Sequence, residues 1–353
     1  LSRPMNHVVG LDIGGANLKA AHSDGSCRSR PFAIWQSPDK LGNELQELIG
    51  DWLPCRALAV TMTAELADCF ATKAEGVDRI LASVESLAGD IPVSVWQTGG
   101  EFVSPDFARE FPLLTAAANW HALATFVGRM APRGRSLLID VGTTTCDIIP
   151  IENGLPMPTG RTDLERLLSG ELVYSGVRRT PVCAVAHSVP LGEGYVQLAA
   201  EVFATMLDVY LLTGDIAENE SDCGTANGHA ATVEFAHDRL ARAICGDRSE
   251  VPLDEARGIA SFLADVQQQR LAGALNRVLA GNDRPVESVL ICGSGSFLAR
   301  RLVESHPKLS GATAHQLSEM FSPEVGEAAC AFALAKLGVE QIYEAFTRRV
   351  SID

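Results

Sequence analysis

Two carboxylates in matching surroundings carry the first chemical signal. Asp12 stands in Leu11-Asp12-Ile13-Gly14-Gly15-Ala16-Asn17, and Asp140 in Ile139-Asp140-Val141-Gly142-Thr143-Thr144-Thr145. In both, an apolar run ends in an acid two residues before a glycine, and small or hydroxylated residues come next. An acid placed there can reach a hydrated cation. The turn through Gly14, Gly15 and Asn17, or through Gly142, points successive N–H groups at phosphate oxygens. Thr143, Thr144 and Thr145 add hydroxyl donors. A third turn, Gly293-Ser294-Gly295, has glycines that leave room for a flat ligand beside the backbone, and a helix N-terminus comes directly after it. One such turn is common after any strand. Three in this order point to two similar halves, each offering a carboxylate and an amide loop to the same ligand.

The elements that must position these groups can be read from hydropathy periodicity. Residues 7–13 and 18–21 form two strands around the first turn, and 56–62 and 93–97 form two more. Helices are expected over 40–52, 76–88 and 116–130. A second set opens with strands at 136–139 and 146–151, the latter running into the hairpin-type turn Glu152-Asn153-Gly154. A long helix is expected over 195–212, then a polar surface loop over 213–228. Further helices are expected over 232–243, 253–263, 267–279 and 297–305, with a buried strand at 286–292. Ser322-Pro323-Glu324 supplies an N-cap, a first-turn proline and a first-turn acid for a last helix rich in small residues. The expected division is a first lobe over 5–131, a second over 132–321, and the helix 322–350 packing back on the first.

Composition narrows the chemistry. The 353 residues exceed one ordinary core, and 29 basic against 44 acidic residues give a net charge of −15. A nucleic-acid partner is not expected, because the electrostatic footprint for a phosphate backbone is missing. Any anionic ligand must be held locally, against the overall field. Nine cysteines without a Cys-x-x-Cys pair, most of them in apolar runs where they read as small buried side chains, point to a reduced, cytoplasmic protein. No apolar run reaches membrane-spanning length, and Leu11–Ala21 is too interrupted for a signal peptide.

The three turns resemble the phosphate and adenosine motifs of the actin-like ATPase superfamily of sugar kinases, heat-shock chaperones and actin. That resemblance covers nearly the whole chain. It implies an α/β fold of two ribonuclease-H-like lobes around a central cleft, with Asp12 and Asp140 holding magnesium through water. Sugar kinases of the repressor-and-kinase type carry an Asn-Asp pair ahead of the second phosphate motif, its aspartate being the catalytic base. Here the place reads Asn119-Trp120-His121. The asparagine is kept and tryptophan replaces the base, so ordinary phosphoryl transfer from ATP lacks its general base. His121 as a substitute and His121 as a structural residue both stand as readings.

A narrower set of stretches, Leu11–Ala21, Thr61-Met62-Thr63-Ala64-Glu65-Leu66, Asn119-Trp120, Ser169–Tyr174 and Ala200–Thr205, resembles a hydantoinase/oxoprolinase-related family linked to tetrahydromethanopterin one-carbon transfer. Where this chain has Ala64, that family usually has glycine. The resemblance implies a transferase of methanofuran-type cofactor biosynthesis. Its small-molecule partners are an aminomethylfuran-methyl diphosphate and the phenol of a glutamyl-tyramine, with pyrophosphate released. An ATP- or ADP-binding kinase or amidohydrolase of the same fold is the alternative. A nucleotide-sensing regulator is the second alternative, although neither a helix-turn-helix nor a basic patch supports it.

For the base, Glu65 comes after a strand end, where α/β clefts collect functional groups; a solvated loop acid is the competing reading. Gln197, Glu201, Thr205 and Asp208 fall on one face of the expected 195–212 helix, either as cleft lining or as a solvent face. Lys19 either neutralises diphosphate charge or points to solvent. Arg161, Asp163, Glu165 and Arg166 read as a mixed-charge loop of surface ion pairs.

Overall fold

The structure, a computed structural model, describes residues 7–350, with side chains described as far as residue 341. Residues 5 and 6 of the expected first lobe lie outside the described residues. The strands are β1 Val8–Ile13, β2 Asn17–His22, β3 Cys27–Pro31, β4 Ala57–Met62, β5 Val93–Trp96, β6 Phe102–Val103, β7 Arg135–Val141, β8 Cys146–Glu152, β9 Leu155–Pro156, β10 Leu172–Val173, β11 Ser188–Leu191, β12 Gly194–Gln197, β13 Ser288–Cys292 and β14 Thr313–Gln316. The α-helices are α1 Leu41–Ile49, α2 Lys73–Ala88, α3 Pro105–Glu110, α4 Pro112–Thr115, α5 Asn119–Gly128, α6 Asp163–Ser169, α7 Met206–Thr213, α8 Val233–Arg242, α9 Leu253–Val278, α10 Ser296–Ser305, α11 Leu317–Met320, α12 Pro323–Glu327 and α13 Ala329–Val350.

The internal repeat reappears as topology. One sheet has the order β3-β2-β1-β4-β5-β6 and the other β10-β8-β7-β13-β14, with β9 added beside β8. In each, the central strand pairs antiparallel with the next in sequence and parallel with one reached after a helical excursion. Both sheets therefore share the ribonuclease-H-like strand order, and the chain is α/β with two such lobes. The match extends to single bonds. Gly14 N–H donates to the Asn17 carbonyl at 3.0 Å, and Gly142 N–H donates to the Thr145 carbonyl at 2.8 Å.

Three apolar cores hold this arrangement. One lies under α1 and α2 on the outer face of the first sheet, and one under α7, α8, α9 and α10 on the second. The third lies between the sheets, where Val8 and Ala59 of the first meet Leu138, Ile149 and Leu290 of the second through Trp120, Leu123 and Phe332. Its helices exchange sides. α5, which the sequence division placed in the first lobe, packs on β7, β8 and β9, while α13 packs on β1, β2 and β4. The crossed helices fix both sheets on one shared core.

Several expected elements differ. The helix expected over 195–212 exists only as α7. Its first part is the β11–β12 ribbon, where Tyr195 and Val196 pair with Pro190 and Val189 across a two-residue Gly192-Glu193 turn. Gly192 sits at φ +56°, the left-handed backbone of the primed hairpin turns. The β-branched and aromatic residues after that turn favour the strand, and the helical spacing of 197, 201, 205 and 208 was coincidental. The expected 116–130 helix begins only at Asn119, because Ala116 bridges to Met62 and Ala117 donates to the Met62 carbonyl. The helices expected over 253–263 and 267–279 are one, α9, since neither glycine nor proline separates them. Ser322 caps its helix as expected, its hydroxyl accepting from Val325 N–H, but α12 is interrupted at Ala328 before α13.

Candidate active site between the lobes

Each central hairpin places its acid opposite a second charged residue. Asp12 of β1 lies across from Lys19 of β2, and Asp140 of β7 across from Asp147 of β8. Cross-strand partners share a face of the sheet. Asp147 is neutralised by the guanidinium of Arg166, whose side chain is 1% exposed. Lys19 thus supplies a cation beside Asp12, and Arg166 one beside Asp147.

The two halves are close enough to set each other's charge. Burial pushes the Asp140 carboxyl up to about 6, and the neighbouring Asp147 pushes the same way, with Lys19 opposing. Burial likewise raises Asp12, and Lys19 opposes it. For Lys19 itself burial disfavours the ammonium, but Asp12, Cys330, Asp140 and Cys292 outweigh it, so its pKa lies above the ordinary lysine value. Lys19 thus shares a sheet face with Asp12, and its charge is coupled to both acids. Asp12 Oδ1 is buried without a hydrogen-bond partner among the described residues.

That orphaned oxygen is free to receive a cation. Among the described residues no three His, Cys, Asp or Glu side chains converge as a metal cage. Two buried carboxylates whose charges are coupled suit a magnesium ion, which keeps several waters and takes one or two carboxylates plus substrate phosphates. Asp12 and Asp140 fit that description.

Both amide loops are partly exposed, as a ligand cradle requires. Gly15 faces open space, while Gly142, Thr143, Thr144 and Thr145 are partly exposed, with the Thr143 and Thr144 hydroxyls 3.4 Å apart. Asn17 contributes its carbonyl to the turn. The third turn departs from expectation. A Cβ on Gly293 would lie 2.2 Å from the Val141 carbonyl oxygen and 2.4 Å from Asp140 Oδ1, and one on Gly295 would lie 2.5 Å from Val141 Cγ1. Its glycines let the backbone pack against the Asp140 loop; close approach of a flat ligand is not what requires them. Only Ser294 of this turn is exposed.

Glu65 is buried at the edge of this arrangement. The Thr63 and Ala64 N–H groups both donate to the Ile13 carbonyl, tying the 61–66 segment to the first loop. Ala64 is fully buried there, so its methyl is accommodated. α2 approaches through Gly76, where a Cβ would lie 2.2 Å from the Glu65 carbonyl oxygen. Glu65 is left 1% exposed, with Oε2 unpartnered among the described residues. Burial raises its carboxyl to about 7; Lys73 opposes this and Asp163, from the second lobe, adds to it. The solvated-acid reading of Glu65 does not hold.

Trp120, standing where a kinase base would be, is 2% exposed and forms a shelf. The Arg166 guanidinium lies 4.1 Å from its ring centroid. Arg166 also reaches Asp163 at 3.5 Å, so these two residues of the expected surface loop instead join a largely buried ion network linking α6, β8 and α5, while Arg161 and Glu165 are exposed as expected. His121 accepts from Trp96 Nε1 at 3.3 Å, and burial lowers its pKa to about 4. It is the structural residue of its two readings. Asn119 points its amide at Cys330 Sγ, 3.8 Å away on α13.

The remaining candidates are elsewhere. Glu201 is exposed in the stretch between β12 and α7. Asp208, fully buried, pairs with Arg239 at 2.7 Å and accepts from Thr205 N–H at 2.9 Å, capping α7. Its carboxylate is consumed by the fold. Sequence reasoning placed Arg166 at the surface and missed Asp147, yet Asp147 is the counterpart of Lys19 when the repeat is extended seven residues past each acid.

Arg166→Ala is expected to destabilise the fold by about 3–5 kcal/mol, because it leaves two largely buried acids without their cation. Chemical denaturation checks this. A loss below about 1 kcal/mol would mean the network is not a structural tie.

A family model described as hydantoinase/oxoprolinase matches residues 56–340. A protein from Methanocaldococcus jannaschii is 32% identical over 95% of this chain and 98% of its own length; it is named (4-{4-[2-(gamma-L-glutamylamino)ethyl]phenoxymethyl}furan-2-yl)methanamine synthase. A protein of the same name from Methanococcus vannielii is 26% identical over 57% of this chain and 89% of its own length. Among solved structures, the ADPNP-bound activator of the 2-hydroxyisocaproyl-CoA dehydratase from Clostridium difficile aligns with a TM-score of 0.47 at 11% identity, covering 96% of this chain and 97% of that one. Among the described residues no helix is long and apolar enough to cross a membrane.

Proposed function

The chain belongs to the hydantoinase/oxoprolinase family, and from that membership we propose that it is a transferase of methanofuran-type cofactor biosynthesis. It joins an aminomethylfuran-methyl diphosphate to the phenol of a glutamyl-tyramine. The full-length similarity to the named synthase carries this reading. The relative's product contains a phenoxymethyl-furan ether, and the paired loops suit the diphosphate that making such an ether must expel.

The step balances as a substitution at carbon. The phenol oxygen forms a bond to the furan-methyl carbon, the carbon–oxygen bond to the diphosphate breaks, and its electron pair leaves as pyrophosphate. Amide groups of the Gly14–Asn17 and Gly142–Thr145 turns bind the diphosphate, and Lys19 meets its charge. Magnesium held by Asp12 and Asp140 would neutralise charge on the leaving group. Glu65 takes the phenol proton. A free phenol has a pKa of about 10, and a carboxylate raised to about 7 narrows the gap its transfer must cross. The furan ring shares positive charge developing at the carbon.

The kinase alternative requires a base beside Asn119, where the structure has Trp120 serving Arg166. Incubation with the furan-methyl diphosphate, γ-glutamyltyramine and magnesium should release pyrophosphate and ether in equal amounts without ATP. ATP hydrolysis with no ether formed would overturn the assignment.

A further inference from the structure

The segment between β10 and β11 is locked to the second loop at backbone level. A Cβ on Gly176 would lie 2.4 Å from the Thr143–Thr144 peptide, so the two backbones are in direct contact. Val177 N–H donates to the Gly142 carbonyl at 3.1 Å. Arg178 and Arg179 N–H both donate to the Thr143 carbonyl, at 3.1 and 2.9 Å. From beneath, buried Gln267 holds the Ser175 hydroxyl at 2.8 Å and the Gly176 carbonyl at 3.0 Å. The position of this segment relative to the phosphate-type loop is therefore fixed.

Its two arginines have different fates. Arg178 is spent on Asp222. Arg179 is exposed and forms no ion pair among the described residues, in a chain with a net charge of −15. Its guanidinium lies 5.2 Å from the ring centroid of Trp35, a residue of the first lobe that is 38% exposed. Trp35 is anchored as closely to the other loop, since Ile34 N–H donates to the Gly15 carbonyl at 3.1 Å and Phe32 N–H to the Ala16 carbonyl at 3.0 Å. Arg179 and Trp35 thus join the two anion-binding loops across the rim of the cleft. An arginine fork matches phosphate oxygens two at a time, and an aromatic face holds a guanidinium only weakly where water reaches it.

We propose that Arg179 is the diphosphate clamp of this site: its guanidinium, held over Trp35 at the rim, turns onto the leaving diphosphate when substrate binds. This rests on the reading of the paired loops as a diphosphate cradle. Because one arm is tied to each lobe, the same exchange reports whether the cleft is filled.

The test uses magnesium pyrophosphate as the probe, with the full chain. Calorimetric titration should show Arg179→Gln binding it about ten- to a hundredfold more weakly than the wild type, with Arg179→Lys between them. In steady-state assays the Gln variant should raise KM for the furan diphosphate and leave KM for the phenol unchanged, a split that a purely structural arginine would not give. Pyrophosphate should change the tryptophan emission of the wild type, and Trp35→Phe or Arg179→Gln should remove that change. Equal pyrophosphate affinity in the wild type and Arg179→Gln would overturn the clamp, even if ether formation proceeds. Arg179-dependent pyrophosphate binding without ether formation would support the clamp and sink the proposed substrate pair.

Discussion

Glu65→Gln is expected to lower kcat for ether formation by about 10²–10⁴-fold while raising thermal stability above neutral pH. Both effects come from one fact, the burial of a carboxyl against α2 with one oxygen unpartnered. The folded protein holds Glu65 at about 7, whereas the ordinary value is 4.5. Between those values the folded state binds more protons than the unfolded state, so this group's contribution to stability falls as pH rises. The full penalty is in place above pH 7, at most roughly 3 kcal/mol by linkage. Glutamine cannot ionise and escapes it. Melting temperatures from pH 5 to 8.5 should therefore converge for the two proteins at the acid end and separate in favour of Glu65→Gln at the alkaline end. Wild-type kcat/KM should rise with pH to a plateau above about 7, since only the ionised carboxylate accepts the phenol proton. Parallel melting curves with retained activity would remove Glu65 from the mechanism.

Asp12→Asn and Asp140→Asn should each abolish measurable turnover, a loss of at least about 10³-fold, while the fold stays intact. A few kcal/mol of leaving-group stabilisation is at stake, at about 1.4 kcal/mol per tenfold in rate. Burial raises the pKa of both acids, so ionising them already costs the empty protein stability. Asp140→Asn, which relieves the repulsion from Asp147, should melt at or above the wild-type temperature; Asp12→Asn, which removes the first counter-charge of Lys19, should melt at or slightly below it, and both should keep the wild-type near-ultraviolet circular dichroism. Inactivity with an unchanged fold distinguishes a ligand-holding role from a structural one. Wild-type rates in either variant would refute the paired-loop site.

The repeat was legible because strand, acid and glycine turn are local features, and the matching turn bonds of Gly14–Asn17 and Gly142–Thr145 arise from them. Glu65 was legible as a candidate by its place after β4, but its burial was not, since that depends on α2 closing over it through Gly76. Glu201 and Asp208 misled because a step-of-four polar spacing arose across a ribbon, a loop and a short helix. The Gly192-Glu193 turn was the available signal against that helix. Trp120 drew attention for what it lacks, a carboxylate, whereas its role lies in what it supports: Arg166 comes from 46 positions along the chain. Contacts at that separation leave no trace in periodicity.

The central claim is that the diphosphate leaves from carbon. The most direct measurement places ¹⁸O at the oxygen bridging the furan-methyl carbon and phosphorus, and tracks the label by mass spectrometry through one turnover with unlabelled γ-glutamyltyramine. The label should appear wholly in pyrophosphate, with none in the ether. Label retained on the furan-methyl carbon would mean that the phosphorus–oxygen bond breaks instead, and would contradict the account.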